Sequence, residues 1–380
     1  MNNEGQNAFQ PIEVTTHNLT FHESPNITSL DYKNNFIMTS GQDKAVRLWE
    51  VAVTDKNKFY TGNCHKTAVN TSLKISFVRE FTKFNDPVSI VRIYRETNDF
   101  IFAVGTEAGA IYYFKVDEKD VEKFIKNELK PTVVKVIKTN GNGCTDLCFI
   151  KQNVIMAVFM SGDIKIFEIS NKRNSLLDED TKATQESSNK ENTELNKEKS
   201  NKINYVAIKL YEKNIHNGII QGLSYCDQSN LIVTHGLDKC VKILKLENYS
   251  VKTVKTITKD VDTSPGANKR ILVHKNNIYI FGKKRMVKII KNDALIGLLG
   301  PFNSPIVKVL INEDVDDCEF LSVVTKKSIY IYNKQNKVVY VDNASYREIT
   351  DAFMSKGILF YSAADGFLGS IRLQTNLFID

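Results

Sequence analysis

Six histidines and six cysteines are the side chains of this 380-residue sequence best suited to metal binding or nucleophilic chemistry. They lie far apart, and neither a CxxC nor an HExxH spacing occurs, although zinc sites depend on such short ligand spacings. Cys144 and Cys148 are close in sequence, but no second pair of histidines or cysteines stands nearby to complete a site. We therefore predict no metal centre, and we expect reduced, mostly buried thiols in an intracellular protein.

Motifs for phosphate binding and for activated serine nucleophiles are also missing. The sequence has no GxxxxGK[ST] loop, no GxGxxG after a strand and no GxSxG turn. Such motifs place glycine where the backbone must approach a phosphate or expose a nucleophile. The sequence thus predicts a protein that is not an enzyme and that holds no cofactor.

The densest acidic group lies in "NEDVDDCE", residues 312–319. One interpretation is a solvated turn, and the other is an acidic patch that faces a basic protein partner. Its five carboxylates belong to Glu313, Asp314, Asp316, Asp317 and Glu319. The basic stretch "GKKRMVKIIK", residues 282–291, has two interpretations as well: a nuclear-localisation signal, or a strand in which the apolar side chains pack.

The net charge of +7 is modest, and the basic residues are spread along the chain. This charge permits contact with nucleic acid but does not indicate a sequence-specific reader. No apolar run reaches the ~18 residues of a membrane-spanning helix, and the N-terminus lacks the basic and apolar regions of a secretory signal. We expect no membrane partner.

A strand–turn–strand pattern occurs twice with nearly the same residues. "TSGQDKAVRLWEV" (39–51) and "LIVTHGLDKCVKILKL" (231–246) share a threonine, a glycine and an aspartate at fixed spacing. Glycine and aspartate suit the turn, and the β-branched residues on both sides suit the strands. Looser copies elsewhere indicate a repeat architecture.

With its terminal Trp-Glu, the first copy resembles the WD repeat of β-propellers. In that family a histidine, a Ser/Thr, the turn aspartate and the tryptophan form a hydrogen-bonded tetrad within one blade. The matching residues here are His22, Thr39, Asp43 and Trp49. The resemblance implies a structural role for all four.

The second copy matches the same pattern at three of four positions. His216, Thr234 and Asp238 correspond to the tetrad, but Leu244 stands where the tryptophan is expected.

Seven units of this kind span the chain as one domain, 1–380. Each has about four short strands at the ~40–45-residue spacing of propeller blades. Their approximate bounds are 12–53, 73–117, 132–170, 203–247, 250–292, 294–334 and 336–373. We therefore expect an all-β fold, a seven-bladed WD40 β-propeller, closed by an N-terminal strand that pairs with the last blade.

Segments between the units interrupt this pattern. The polar insertion at about 170–202 is poor in apolar residues, and residues 171–202 are predicted to form a disordered loop. The loop is either a regulated tether or phosphorylation site, or a surface insertion without a function. Residues 54–72 look like a short polar excursion. "DEKDVEKFIKNELK" (117–130) has the apolar spacing of a helix.

The order of several segments is similar to the WD-repeat middle subunit of chromatin assembly factor 1. "FHESPNITSLDY" (21–32) before the first turn resembles that family's opening repeat, and "FVREFTKFNDPVSIVRI" (77–93) its second. "IIQGLSYCDQSNLIVTHGLDKCVKI" (219–243) and the segment 327–371 resemble a later repeat and the last two. In the last segment the matching residues are Tyr346, Ile349, Thr350, Asp351, Asp365 and Gly366.

This resemblance implies a nuclear, non-catalytic scaffold subunit of a histone chaperone complex that deposits histone H3–H4 on newly replicated DNA. The implied partners are the large subunit of the complex and, mostly indirectly, H3–H4, with the acidic run 313–319 as a local histone-facing patch. In many members a C-terminal tail with a short basic motif docks a second histone chaperone; the sequence stops at Asp380 without that motif, which leaves this partner open. Alternatives are the sister histone-regulator WD family, which is replication-independent, and a WD40 scaffold of a ubiquitin-ligase or RNA-processing assembly.

Overall fold

The computed structural model has twenty-eight β-strands among the residues that it describes. The structure describes residues 13–18, 27–58, 69–81, 84–137, 142–172, 204–258, 271–275, 277–281, 285–291, 294–312, 320–333, 335–342, 348–355 and 357–372. None of the helices in these ranges is long and apolar enough to span a membrane.

In the first half of the chain the strands are β1 (Glu13–Asn18), β2 (Ile27–Lys33), β3 (Phe36–Gly41), β4 (Val46–Lys58), β5 (Val69–Phe81), β6 (Val88–Tyr94), β7 (Phe100–Thr106), β8 (Ile111–Val116), β9 (Thr132–Ile137), β10 (Cys144–Lys151), β11 (Val154–Phe159), β12 (Asp163–Lys172), β13 (Asn204–Asn214) and β14 (Ile220–Cys226). In the second half they are β15 (Leu231–Gly236), β16 (Val241–Glu247), β17 (Ser250–Ile257), β18 (Ile271–His274), β19 (Asn277–Phe281), β20 (Val287–Lys291), β21 (Ala294–Leu299), β22 (Ile306–Asn312), β23 (Phe320–Thr325), β24 (Ile329–Tyr332), β25 (Val338–Asp342), β26 (Ile349–Ser355), β27 (Ile358–Ala363) and β28 (Phe367–Arg372).

These strands form seven antiparallel sheets of four strands each. The first sheet is β2–β5, the second β6–β9, the third β10–β13, the fourth β14–β17, the fifth β18–β21 and the sixth β22–β25. The first strand of each sheet contacts the first strand of the next, and β26 of the seventh sheet contacts β2 of the first. The sheets therefore form a closed ring, and the expected seven-bladed propeller is confirmed.

The ring closes through a strand from the other end of the chain. In the seventh sheet β1 pairs with β28, from Glu13 opposite Arg372 to Asn18 opposite Phe367. The order of this sheet is β1-β28-β27-β26, so its outer strand comes from the N-terminal segment. Closure by the N-terminal strand is thus confirmed.

The sheets are offset by one strand from the units counted along the sequence. Each unit contains four strands, but its first strand is the outer strand of the preceding sheet. For example, the unit at 73–117 begins within β5, which completes the first sheet. The offset arises because the sequence units are divided at the connection that precedes each outer strand, whereas a sheet is defined by which strands pair. The first strand of each unit pairs with the last strand of the unit before it.

The second strand of each sheet is almost entirely buried because neighbouring sheets pack on both of its faces. Every residue of β7 (FIFAVGT) and of β11 (VIMAVF) is buried. Between the first and second sheets, Phe102 and Phe114 stack with ring centroids 4.4 Å apart, next to Met38 and Leu48. This packing between sheets forms the core of the ring.

The segment predicted to be helical at 117–130 forms a shorter helix than expected. A 3₁₀ turn at Glu118–Asp120 leads into α1 (Val121–Ile125). Phe124 is buried against the second sheet, and the Arg79 guanidinium lies 4.7 Å from the centre of its ring. The helix therefore caps the apolar space between the first two sheets.

Two hairpins are longer than the sequence suggested. β4 runs to Lys58 and β5 begins at Val69, so strand pairing extends into residues 54–72. The sequence predicts a short polar insertion there. In the third sheet Lys172 pairs with Asn204. Residues 173–203, which hold nearly all of the predicted disordered loop, lie outside the described residues.

Candidate interaction face

Two residues of the predicted tetrad in the first sheet, Thr39 and Trp49, are in direct contact. The Trp49 indole N–H donates a 2.9 Å hydrogen bond to the Thr39 hydroxyl, and both side chains are buried. In the ladder Ile37 lies opposite Trp49 and Thr39 opposite Arg47, so the indole reaches diagonally across the hairpin. This bond ties the second and third strands of the first sheet together.

Asp43 makes a contact that the tetrad pattern did not predict. Its carboxylate lies 2.6 Å from the Arg47 guanidinium, and the same guanidinium lies 2.7 Å from Glu80 on β5. The turn aspartate thus takes part in an ion-pair network that connects the turn to the outer strand. His22, the fourth predicted member, lies outside the described residues.

In the fourth sheet the structure brings three predicted residues together. His216 Nδ1 lies 2.9 Å from the Asp238 carboxylate, and its Nε2 lies 2.9 Å from the Thr234 hydroxyl. In the neutral ring Nδ1–H donates to Asp238 and Nε2 accepts from Thr234. Burial lowers the pKa of His216, although the bond to Asp238 acts in the opposite direction. Leu244 lies opposite Ile232 at the ladder position that Trp49 occupies in the first sheet.

Three buried aspartates join neighbouring sheets at the centre of the ring. Asp31 accepts a 2.8 Å hydrogen bond from the backbone N–H of Ile93 in the next sheet. Asp351 accepts one of 2.9 Å from Leu30. Asp146 accepts one of 3.3 Å from Leu223. Each aspartate thus satisfies a backbone donor of the adjacent innermost strand, which water cannot reach.

Cations in the central channel balance these carboxylates. Arg92 lies 3.0 Å from Asp146 and Lys308 lies 2.9 Å from Asp351, while Arg95 pairs with Asp31. Burial disfavours the charged guanidinium, but the surrounding carboxylates outweigh that effect and raise the pKa of Arg92. Because acids and bases neutralise each other, the channel centre is a structural network.

Among the described residues no group of three or more histidine, cysteine or carboxylate side chains is arranged to hold a metal ion. Cys144, Cys148, Cys226 and Cys240 are free thiols, and burial raises the pKa of Cys144 and Cys148 above the usual range. A raised pKa disfavours the reactive thiolate.

One end of the channel opens into a cavity of about 370 Å³, here called the channel mouth. Many of the side chains that line it lie near the C-terminal ends of the innermost strands. They include Tyr94, Arg95, Phe149, Tyr225, Leu310 and Phe353. The Arg95 guanidinium lies 4.4 Å from the centre of the Phe353 ring, and the rings of Tyr94 and Phe149 are 5.5 Å apart.

The channel mouth has the composition of a protein-binding site. Aromatic residues and arginine are enriched at the cores of protein interfaces, where they bury large areas with few rotatable bonds. Sequence reasoning missed it because its lining residues come from all seven sheets. The available signal was a recurring aromatic late in the innermost strands, as in "DLCFI" and "GLSYC".

The structure describes only part of the two charged stretches that the sequence singled out. The acidic run 313–319 connects β22 to β23 and lies outside the described residues, as do residues 282–284 of the basic stretch. The rest of that stretch includes the strand β20, in which Val287 and Ile289 are buried. This part of the stretch packs as the third strand of the fifth sheet.

Comparison with known proteins supports the fold alone. No protein-family model matches the sequence, and no curated protein matches it. Among solved structures, the crystal structure of the WD40 β-propeller domain of Doa1 is similar, with a TM-score of 0.59 and 12% identity over 98% of this chain and 99% of that chain.

The protein has the fold of a seven-bladed WD40 β-propeller. A propeller fold alone does not define a function.

Proposed function

We propose that this propeller is a non-catalytic subunit of a nuclear histone chaperone complex that deposits H3–H4 on newly replicated DNA. The observation that carries the proposal is the order of the segments that resemble the middle subunit of chromatin assembly factor 1. These segments lie in the first, fourth, sixth and seventh sheets, with one more across the first and second. A shared order of several repeats is more specific than any one repeat.

Two of the resembling segments also supply interblade contacts. "SLDY" contains Asp31 and the segment 327–371 contains Asp351, and both accept hydrogen bonds from neighbouring innermost strands. The resemblance thus includes positions that hold the ring together.

The proposal assigns most histone contact to the large subunit. The net charge of +7 has the same sign as that of histones, so long-range electrostatics opposes their encounter. The exception is the acidic run, which we assign to local histone contact. We assign docking of the large subunit to the channel mouth, whose aromatic side chains offer apolar area.

Co-expression with the large subunit tests this division of roles. The complex should survive ~0.5 M salt, which screens exposed charge pairs over ~4–5 Å. Replacing Phe149 and Tyr225 with alanine should release the large subunit. Replacing Glu122 and Glu128, exposed on the helical segment, with lysine is the matched surface control and should have no effect.

Reversal of the acidic run is the second arm of the test. A variant with lysine in place of its five carboxylates should recruit less H3–H4 and keep the large subunit. A variant that keeps the histones but loses the large subunit would contradict the assignment. A complex with ubiquitin-ligase or RNA-processing subunits, or with replication-independent histone regulators alone, would favour the corresponding alternative.

A further inference from the structure

The outer strand of the fifth sheet, β21, differs from the other six outer strands. Its sequence ALIGLL contains no charged or polar side chain. Each of the others, β1, β5, β9, β13, β17 and β25, carries at least one charged residue. Charges on edge strands prevent unwanted pairing, so β21 lacks the usual protection.

The apolar side chains of β21 face the solvent. Leu295, Ile296 and Leu298 are 60%, 56% and 50% exposed. In the described part of the chain β21 pairs only with β20, so one edge of its backbone is open to another strand. Beside it, Ile296 lines a cavity of about 260 Å³ between the fifth and sixth sheets. The other lining residues are partly apolar and partly amide-bearing and include Tyr279, Ile311, Phe320, Asn277, Asn333 and Asn336.

Two lysines lie beside this apolar edge. Lys288 and Lys291 on β20 lie opposite Leu298 and Ala294 of β21. From residue 271 to residue 299 the sequence has six basic residues, at 275, 283, 284, 285, 288 and 291, and one acidic residue, Asp293. The fifth sheet thus combines a free apolar edge with an excess of positive charge.

We propose that β21 is a strand-addition site for an extended segment of another protein that alternates apolar residues and carries acidic residues at its flanks. The backbone edge of β21 supplies the main-chain hydrogen bonds of such pairing, and the cavity beside Ile296 receives one side chain of the added strand. Acidic flanks complement the lysines of β20. A second copy of this chain fits less well, because edge-to-edge pairing would bring two basic sheets together. The site lies on the rim, apart from the channel mouth.

Panning of a phage library of random decapeptides on the purified full chain tests the proposal. Enriched peptides should alternate apolar residues and carry Asp or Glu near their ends. Their affinity should fall by at least ~tenfold for Leu298→Lys and for Leu295→Lys, and it should weaken in ~0.5 M salt. Both leucines are solvent-exposed, so the variants should keep the circular dichroism spectrum and melting temperature of the parent.

Val254→Lys is the matched control, because Val254 is 60% exposed on the outer strand β17. It should bind the enriched peptides as the parent does. Three results would overturn the proposal: no enrichment, enriched peptides without acidic flanks, or binding that is insensitive to both leucine substitutions. Sedimentation that showed a dimer lost in Leu298→Lys would instead assign the edge to a second copy.

Discussion

The carboxylate of Asp31 on the first sheet lies 2.8 Å from the backbone nitrogen of Ile93 on the second, and it accepts that nitrogen's hydrogen bond. The two residues are far apart in sequence but adjacent at the centre of the ring. A buried N–H without a partner is costly, so this contact couples the positions of two sheets. Asp146 and Asp351 repeat the relationship elsewhere around the channel.

Removing the Asp31 carboxylate should destabilise the whole ring. Asp31→Ala leaves the N–H of Ile93 unsatisfied and deprives Arg95 of its ion-pair partner. We expect the free energy of unfolding to fall by about 2–4 kcal/mol in urea denaturation. Glu348→Ala, which breaks an ion pair between half-exposed residues, is the control and should change it little. Equal effects of the two substitutions would refute the role of Asp31.

The hydrogen bond between Trp49 and Thr39 gives a second prediction. Thr39→Val keeps the shape of the side chain but leaves the buried indole N–H without its acceptor. The expected loss is about 1–3 kcal/mol, and Thr39→Ser, which retains the hydroxyl, should lose less. Trp49 is the only tryptophan, so its fluorescence reports unfolding directly. A larger loss for serine than for valine would contradict the assignment.

The buried His216 predicts a dependence of stability on pH. Burial lowers its pKa in the folded protein, so the unfolded chain takes up the proton first as the pH falls. The contribution of the neutral ring to stability is therefore fully present at a pH above its ordinary pKa of about 6.5. As the pH falls below that value, the free energy of unfolding decreases by up to about 1.4 kcal/mol for each unit by which the folded-state pKa is lowered. We expect unfolding free energies measured at about pH 7.5 and 5.5 to differ less in His216→Gln than in the parent. The same difference in both proteins would be evidence against this role.

The hairpin of β12 and β13 predicts that the segment 173–203 is dispensable for folding. Lys172 and Asn204 are paired, so a two-residue Asn-Gly turn can join them directly. Shortening a loop costs no stability in principle, since each doubling of its length costs only ~0.6 kcal/mol. The shortened protein should unfold at an equal or higher urea concentration. Loss of soluble expression would show that the segment contributes to the fold.

Much of the fold could be predicted because the strand signals are local. The pattern around Thr39, Asp43 and Trp49 repeats near Thr234 and Asp238, and hairpin residues lie close in sequence. The seven units, counted without knowledge of pairing, each hold four strands. Their offset from the sheets was not evident, because pairing between units depends on the ring.

The interaction surfaces could not be predicted in the same way. The channel mouth joins side chains from all seven sheets, and no local spacing relates Tyr94 to Phe353. The free edge of β21 was missed for a similar reason: ALIGLL reads as an ordinary apolar strand until its position at the edge of a sheet is known. The sequence did carry a signal for the buried Asp31, because a carboxylate stands within the strand ITSLDYK, which is nearly all buried. It carried no signal for the partner, the backbone N–H of Ile93.

The measurement that tests the central claim most directly is the set of proteins that co-purify with the tagged chain from its own cells, identified by mass spectrometry after a wash in ~0.5 M salt. The predicted result is a nuclear complex that contains the large subunit of a nucleosome-assembly factor together with histones H3 and H4. The Phe149→Ala, Tyr225→Ala double variant should lose the large subunit, and Val254→Lys should retain it. Recovery of a ubiquitin-ligase or RNA-processing complex without histones would contradict the account.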